Sequence, residues 1–190
     1  VMEEEVEERF PEFLGFLLDN PIRRLLGKPE KRIKELGLVD SKVLEVGCGP
    51  GFFTIPLAEN NQSVVSFDLS SKFLKKTRRM AEKKEIDNTT FIRCEASKIP
   101  LREGVFDRAF VHFVYHEIKD REDFISELAR VLKRNGEVVL VEVEPASGLK
   151  KLFGPPGASS DTAKMKFKTR FEGLDVRREG GRRYVLRAKK

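Results

Sequence analysis

The chain has 190 residues and a mass of 21.8 kDa, the length of one domain, and 39% hydrophobic residues suffice for one packed core. With 37 Lys and Arg against 31 Asp and Glu it is only mildly basic, and 15 Phe without a long polar tract exclude disorder despite 36% charged residues. No apolar run reaches about 18 residues and the EEEVEE beginning is acidic, so neither a membrane span nor a secretion signal is expected.

From Pro11, the positions of Phe13, Phe16, Leu17 and Leu18 predict a short helix that Asp19-Asn20-Pro21 breaks. Pro29 opens a second helix with Ile33 and Leu36 on one face, closed near Gly37. Residues 1–27 read as a helical cap and 28–190 as the core of a single domain. From Lys42 the pattern changes to short apolar runs. Lys42–Val46, Ser63–Phe67, Thr90–Cys94, Phe106–Val111 and Glu137–Val143 read as strands, and residues 52–60, 71–85 and 120–133 as helices between them. Such alternation makes an α/β fold: parallel strands need crossovers, and the crossovers cover both faces of the sheet with helices. After Pro145, SGLKKLFGPPGASS reads as a loop. Ala163, Phe167, Phe171 and Leu174 then recur at a helical period. Leu174–Arg178 and Arg183–Ala188 flank Gly180-Gly181, which predicts an antiparallel hairpin with a tight two-residue turn.

The most informative stretch is Val43–Gly51, VLEVGCGPG, where an apolar strand ends with an acidic residue and passes into Gly47, Gly49 and Gly51 before a helix. Glycines permit positive φ and close approach of a ligand, and the following helix offers unpaired amide donors. In open α/β sheets the binding crevice lies at the carboxyl ends of the strands. Phe52 stands where a dinucleotide-binding G-x-G-x-x-G loop needs its third glycine, and no phosphate-cradling G-x-x-x-x-G-K-[ST] occurs. Glu45 repels a pyrophosphate and suits an ammonium or sulfonium group.

With this loop the sequence resembles the class I S-adenosylmethionine-dependent methyltransferases. Within them it is most similar to the broad type 11 group that includes menaquinone and ubiquinone biosynthesis methyltransferases. The resemblance runs over roughly residues 28–190. It implies a Rossmann-like, seven-stranded, mostly parallel sheet with helices on both faces, the last strand antiparallel, and short N-terminal helices. It implies S-adenosylmethionine as cofactor, held at Glu45, Gly47, Cys48, Gly49 and Gly51. Asp68 in VVSFDLS then takes the ribose hydroxyls with Leu69 beside it, and Glu95-Ala96 in FIRCEASKIPL meets the adenine. His112 in FDRAFVHFVYHEI falls near the methionine end, at a position where the family usually has Asn or Ser. ELARVLKRNGEVVLVEV resembles the helix, turn and fifth strand, and RFEGLDVRREGGRRYVLRAKK the closing hairpin. The reaction implied is an in-line displacement in which an O, N, C or S atom attacks the sulfonium methyl and leaves S-adenosylhomocysteine.

Several residues have two readings. His112 and His116 stand four apart, but in strand and loop and without further ligands, so no metal is expected. His116, followed by Glu117 just past the fourth strand, is either a packed loop histidine or a general base. Cys48 and Cys94 are too few for a disulfide framework and fit a reducing cytoplasm as small buried residues. The charge density without Trp is that of a thermophile. Over residues 161–190 eleven Lys or Arg stand against four Asp or Glu, but they alternate with apolar residues as a solvated hairpin does. GPPG at 154–157 resembles an element of amino-group methyltransferases only superficially, since it follows the fifth strand. The expected acceptor is a small molecule, apolar or ring-containing, walled by Phe13, Phe16 and Leu17 and by residues 20–24. The alternatives are an RNA or protein acceptor, which is where nucleic acid enters, and a non-catalytic cofactor-binding subunit.

Overall fold

The computed structural model describes residues 27–146 and 157–190. The helix expected from Pro11, the cap up to residue 26 and the loop over residues 147–156 lie outside the described residues. The described residues form two compact units, divided between Glu95 and Ala96.

In the first unit, helix α1 (Pro29–Glu35) starts on proline, whose fixed φ suits a first turn, and buries Ile33. Strand β1 (Lys42–Val46) is buried from Val43 onward, the pattern of a strand covered on both faces. The short helix α2 (Thr54–Glu59) leads to β2 (Ser63–Asp68), and α3 (Ser71–Lys83) leads to β3 (Thr89–Arg93). Ser70 caps α3 by accepting the Phe73 amide at 3.3 Å, and Leu74, Thr77 and Ala81 form its buried face at helical spacing. The strands pair in parallel in the order β3-β2-β1, with Val43 opposite Val64 and Val65 opposite Thr90.

In the second unit, β4 (Phe106–His112) is followed by a single 3-10 turn (Tyr115–Glu117), helix α4 (Arg121–Val131) and the long β5 (Leu132–Val143). Helix α5 (Ser160–Phe167) precedes β6 (Glu172–Arg178) and β7 (Arg183–Lys189). β4 and β5 are parallel, while β7 runs antiparallel to both β5 and β6. Phe124, Ile125, Leu128 and Val131 of α4 are buried, as are residues 136–142 of β5. β6 is largely exposed and carries Arg177, Arg178, Glu172 and Asp175, which blunt an edge against further pairing. The seven strands among the described residues are those of a mostly parallel α/β sheet whose last strand is antiparallel.

Several boundaries differ from the sequence expectation, and three of the differences change the backbone path. The turn expected between α4 and the fifth strand is absorbed into β5: Leu132 pairs with Phe106, Glu137 pairs with Arg108, and Asn135 takes φ +67° in the intervening irregularity. The helix carrying Ala163 ends at Phe167, short of Phe171, and β6 starts at Glu172 rather than Leu174, with Gly173 at φ +56° in the irregularity at its start. The hairpin turn has three residues rather than two. Glu179 donates to Arg183 O at 2.8 Å, and the Arg182 carbonyl is occupied by the Glu144 amide at 2.7 Å, which extends the β5–β7 ladder.

Candidate functional site

The glycine loop follows β1 in the first unit, with Gly47, Gly49 and Gly51 at φ +65°, +51° and +88°. All three lie in the left-handed region that side chains disfavour. The loop is tied down from three sides. The Gly47 and Cys48 amides donate to Phe67 O at 2.9 and 3.1 Å, the Gly51 amide to Cys48 O at 3.1 Å, and the Gly49 amide to Asp68 Oδ2 at 2.8 Å. Beneath it, Thr77 of α3 donates its hydroxyl to Gly49 O at 3.1 Å. A methyl group added at Gly51 would come within 2.7 Å of Thr77 Cγ2, whereas one added at Gly49 would meet nothing within 4 Å. The loop is therefore packed on its helix side at Gly51 and open beside Gly49.

Two carboxylates stand at this loop. Glu45 is 4% exposed, and its Oε2 accepts from Thr54 Oγ1 at 2.7 Å and Ser66 Oγ at 2.6 Å. Burial pushes its carboxyl up to about 7, against the lowering effect of the two hydroxyls and with a further push from Asp68. Asp68 ends β2; its Oδ1 accepts the Ser70 amide at 2.9 Å while Oδ2 holds Gly49. Burial raises its pKa, and those backbone bonds hold the rise down. Cys48 is buried between them, and burial together with both carboxylates drives its thiol far up, which makes it no nucleophile.

These residues fit a cationic nucleoside and disfavour a phosphate. Every amide from Gly47 to Gly51 is spent inside the protein, so no nest of donors is left for an anion. A carboxylate has about four lone-pair sites, so Asp68 retains acceptor capacity on both oxygens for vicinal hydroxyls. Leu69, the next residue, is 42% exposed and offers apolar surface to a flat ring. The amide donors expected just after Gly51 are not there in helical form, because α2 begins only at Thr54. A shallow depression lined by Lys34, Asp40, Glu59 and Asn60 lies at the opposite, amino ends of β1 and β2 and is no part of this arrangement.

Of the sequence-derived residues, the structure brings together Glu45, Gly47, Cys48, Gly49, Gly51, Asp68 and Leu69. Glu95 is exposed beyond the end of β3, and Ala96, His112 and His116 belong to the second unit. His112 closes β4, with its ring 4.1 Å from that of Phe113, a residue held at φ +55°. His116 lies in the 3-10 turn beyond, its side chain 7% exposed and Nδ1 2.9 Å from Glu142 Oε2. Glu142 was not singled out from the sequence, although a charged residue inside the apolar run VVLVEV was the available signal. Thr54, Ser66 and Thr77, which hold Glu45 and the loop, gave no such signal. Among the described residues no group of three or more His, Cys, Asp or Glu could hold a metal ion, and no helix is long and apolar enough to cross a membrane.

A family model described as a methyltransferase domain matches residues 44–140, just over half of the chain. Among curated proteins, an uncharacterised methyltransferase of Synechocystis sp. is 33% identical over 117 residues, 60% of this chain and 52% of that protein. A demethylmenaquinone methyltransferase of Geobacillus sp. is 28% identical over 137 residues, 69% of this chain and 58% of that protein. The chain thus spans about half the length of the curated relatives it matches. Among solved structures, a SAM-dependent methyltransferase from Aquifex aeolicus superposes with a TM-score of 0.80 at 26% identity, covering 95% of this chain and 99% of that one.

Proposed function

The chain belongs to the methyltransferase-domain family of class I S-adenosylmethionine-dependent proteins, and from that premise we propose that it transfers the cofactor's methyl group to a small-molecule acceptor in the cytoplasm. The observation that carries this reading is the pair of carboxylates, Glu45 and Asp68, at neighbouring parallel strands around a glycine loop whose amides are all internally bonded. That combination attracts a cation with hydroxyls and repels a phosphate. When bound, the cofactor supplies an electrophilic methyl on a sulfonium, which is the chemistry the protein itself lacks.

The chain's own groups bind and orient. Gly47, Cys48, Gly49 and Gly51 line the opening, Glu45 adds negative potential beneath it as it ionises above about pH 7, Asp68 accepts the ribose hydroxyls and Leu69 packs on the nucleoside. The roles of Glu95 and Ala96 at the adenine and of His112 near the methionine end rest on their sequence positions. Support for a small-molecule acceptor comes from the relative named for demethylmenaquinone.

The test is equilibrium dialysis with S-adenosylmethionine and S-adenosylhomocysteine, followed by radiolabelled methyl transfer to extracted metabolites, bulk RNA and protein. Retention of both compounds and label in the metabolite pool is expected. Label in RNA or protein alone would replace the small-molecule acceptor, and retention without any transfer would indicate a non-catalytic subunit. Ligand at 100 times its dissociation constant stabilises a protein by ~2.7 kcal/mol. Asp68→Ala should lose most of that thermal shift, and a wild-type response from the variant would remove Asp68 from the ribose.

A further inference from the structure

Resting on the methyl-transfer reading, we propose that Glu45 is a proton-exchange group that sets cofactor specificity by charge: it surrenders a proton when the sulfonium compound enters the glycine-loop site and takes one back when only the thioether product remains. Glu45 and its partners all lie in the first unit. The residue sits near the carboxyl end of β1 beneath the loop, and Asp68 ends the parallel neighbour β2. Two carboxyl groups thus stand at one loop. Glu45 is 4% exposed, and no cation among the described residues pairs with it. An anion so enclosed is costly, a second like charge nearby makes it costlier, and a proton on one of the two relieves both.

Hydrogen-bond partners decide which carboxyl carries the proton. Asp68 accepts backbone amides on both oxygens, from Ser70 at 2.9 Å and from Gly49 at 2.8 Å. An amide N–H can only donate, so these contacts suit a carboxylate. Glu45 Oε2 instead meets two hydroxyls, Thr54 Oγ1 at 2.7 Å and Ser66 Oγ at 2.6 Å. A hydroxyl donates or accepts according to how it is turned, so the same pair serves a carboxylate and, with one hydroxyl rotated, a carboxylic acid. Both protonation states of Glu45 therefore fit one set of heavy-atom positions, which is what a reversible proton site needs.

Within the first unit, the groups that face Glu45 come from each element around it. β2 contributes Ser66 and Asp68, α2 contributes Thr54, and the loop contributes the Cys48 thiol, while α3 presents the uncharged Thr77 to that loop. Burial and both carboxylates keep the thiol protonated, so it does not compete for the exchange. Burial pushes the Glu45 carboxyl up to about 7 against its two hydroxyls, with Asp68 adding to the push, which puts the exchange near neutrality. S-adenosylmethionine and S-adenosylhomocysteine share an ammonium and a carboxylate whose charges offset each other; they differ by the sulfonium. Positive charge admitted to this site favours the carboxylate form of Glu45, and its proton leaves to solvent. With the neutral thioether the carboxyl recovers a proton from solvent, and no bond of the protein other than that O–H changes. Retention of the methyl donor therefore tightens as pH rises toward neutrality, while retention of the product stays nearly level.

Two measurements on the full chain test this. The first is titration calorimetry at about pH 6 in two buffers of different ionisation enthalpy, which counts the protons released on binding. S-adenosylmethionine should release about one proton more than S-adenosylhomocysteine, and its dissociation constant should fall by up to about tenfold per pH unit below neutrality. The groups common to both compounds cancel in that difference. Glu45→Gln should bind both compounds with the extra proton and the pH dependence gone. The second is infrared difference spectroscopy of the ligand-free protein across the same pH range, where the carbonyl band of a protonated carboxyl should be present at about pH 6 and missing in Glu45→Gln. Ser66→Ala removes a donor to the anion and should move the midpoint of that band to higher pH. Equal proton counts for the two compounds, or an extra proton that persists in Glu45→Gln, overturn the proposal. So does an infrared spectrum without a Glu45 band at about pH 6. Failure of the wild type to retain either compound falls on the methyl-transfer reading, and the infrared titration still decides whether Glu45 holds a proton.

Discussion

Glu45 keeps a carboxyl in the interior between two hydroxyls, and that has a measurable consequence in the ligand-free protein. Its folded pKa of about 7 exceeds the ordinary 4.5, so between those values the folded state binds more protons than the unfolded state. The contribution of this group to stability is therefore complete below pH 4.5 and lost as pH rises through about 7, by on the order of 3 kcal/mol at about 1.36 kcal/mol per unit. Urea denaturation from about pH 5 to 9 should show this decline in the wild type and a flatter profile in Glu45→Gln. The raised proton affinity of His116 acts in the same direction, so some slope should persist in the variant. Tyr115 poses the converse question. A buried hydroxyl without a partner is unfavourable to keep, so Tyr115→Phe should leave the ligand-free unfolding free energy unchanged or raise it, by about 1 kcal/mol at most. A large loss of stability would mean that the hydroxyl is satisfied in solution.

At the scale of elements, the strand–loop–helix junction is held by contacts that each constrain the others. Gly51 sits at φ +88° against Thr77, and Thr77 in turn bonds Gly49, whose amide is fixed by Asp68. Gly51→Ala adds both a forbidden backbone conformation and an overlap with α3, and should cost about 2–4 kcal/mol in chemical denaturation. Thr77→Ala in that background should recover only part of the loss, because it removes the overlap and leaves the φ strain. Full recovery would show that packing alone demands the glycine. Cofactor retention should fall in both variants, since the loop opening beside Gly49 depends on the same contacts. The β4–β5 pair makes a similar link in the second unit. His112 opposite Val141 sets the register that brings the turn after β4 beside Glu142.

For the molecule as a whole, what could be read in advance follows from how far apart the interacting residues are. Buried parallel strands such as Val43–Val46 declare themselves as apolar runs, because both faces are covered and nearly every side chain must be apolar. Ile33 and Leu36, or Leu74 and Ala81, declare a helix face by spacing alone. The loop's glycines were legible because φ > 0 is a local demand that few other residues meet. The irregularity at Asn135, the early end of α5 at Phe167 and the three-residue hairpin turn were not legible, since each was decided by pairing with a distant strand. The residues that hold Glu45 were hidden for the same reason: Thr54 and Ser66 are ordinary hydroxyls until β2 lies beside β1. By itself the sequence determined the strand and helix alternation, the glycine loop and its acidic neighbours, because these express short-range steric and hydrophobic rules. Only the tertiary structure decided that Asp68 clamps Gly49 and that Glu142 holds His116 from 26 residues away. A hydrogen bond depends on sub-ångström placement across strands, and no local pattern encodes that distance.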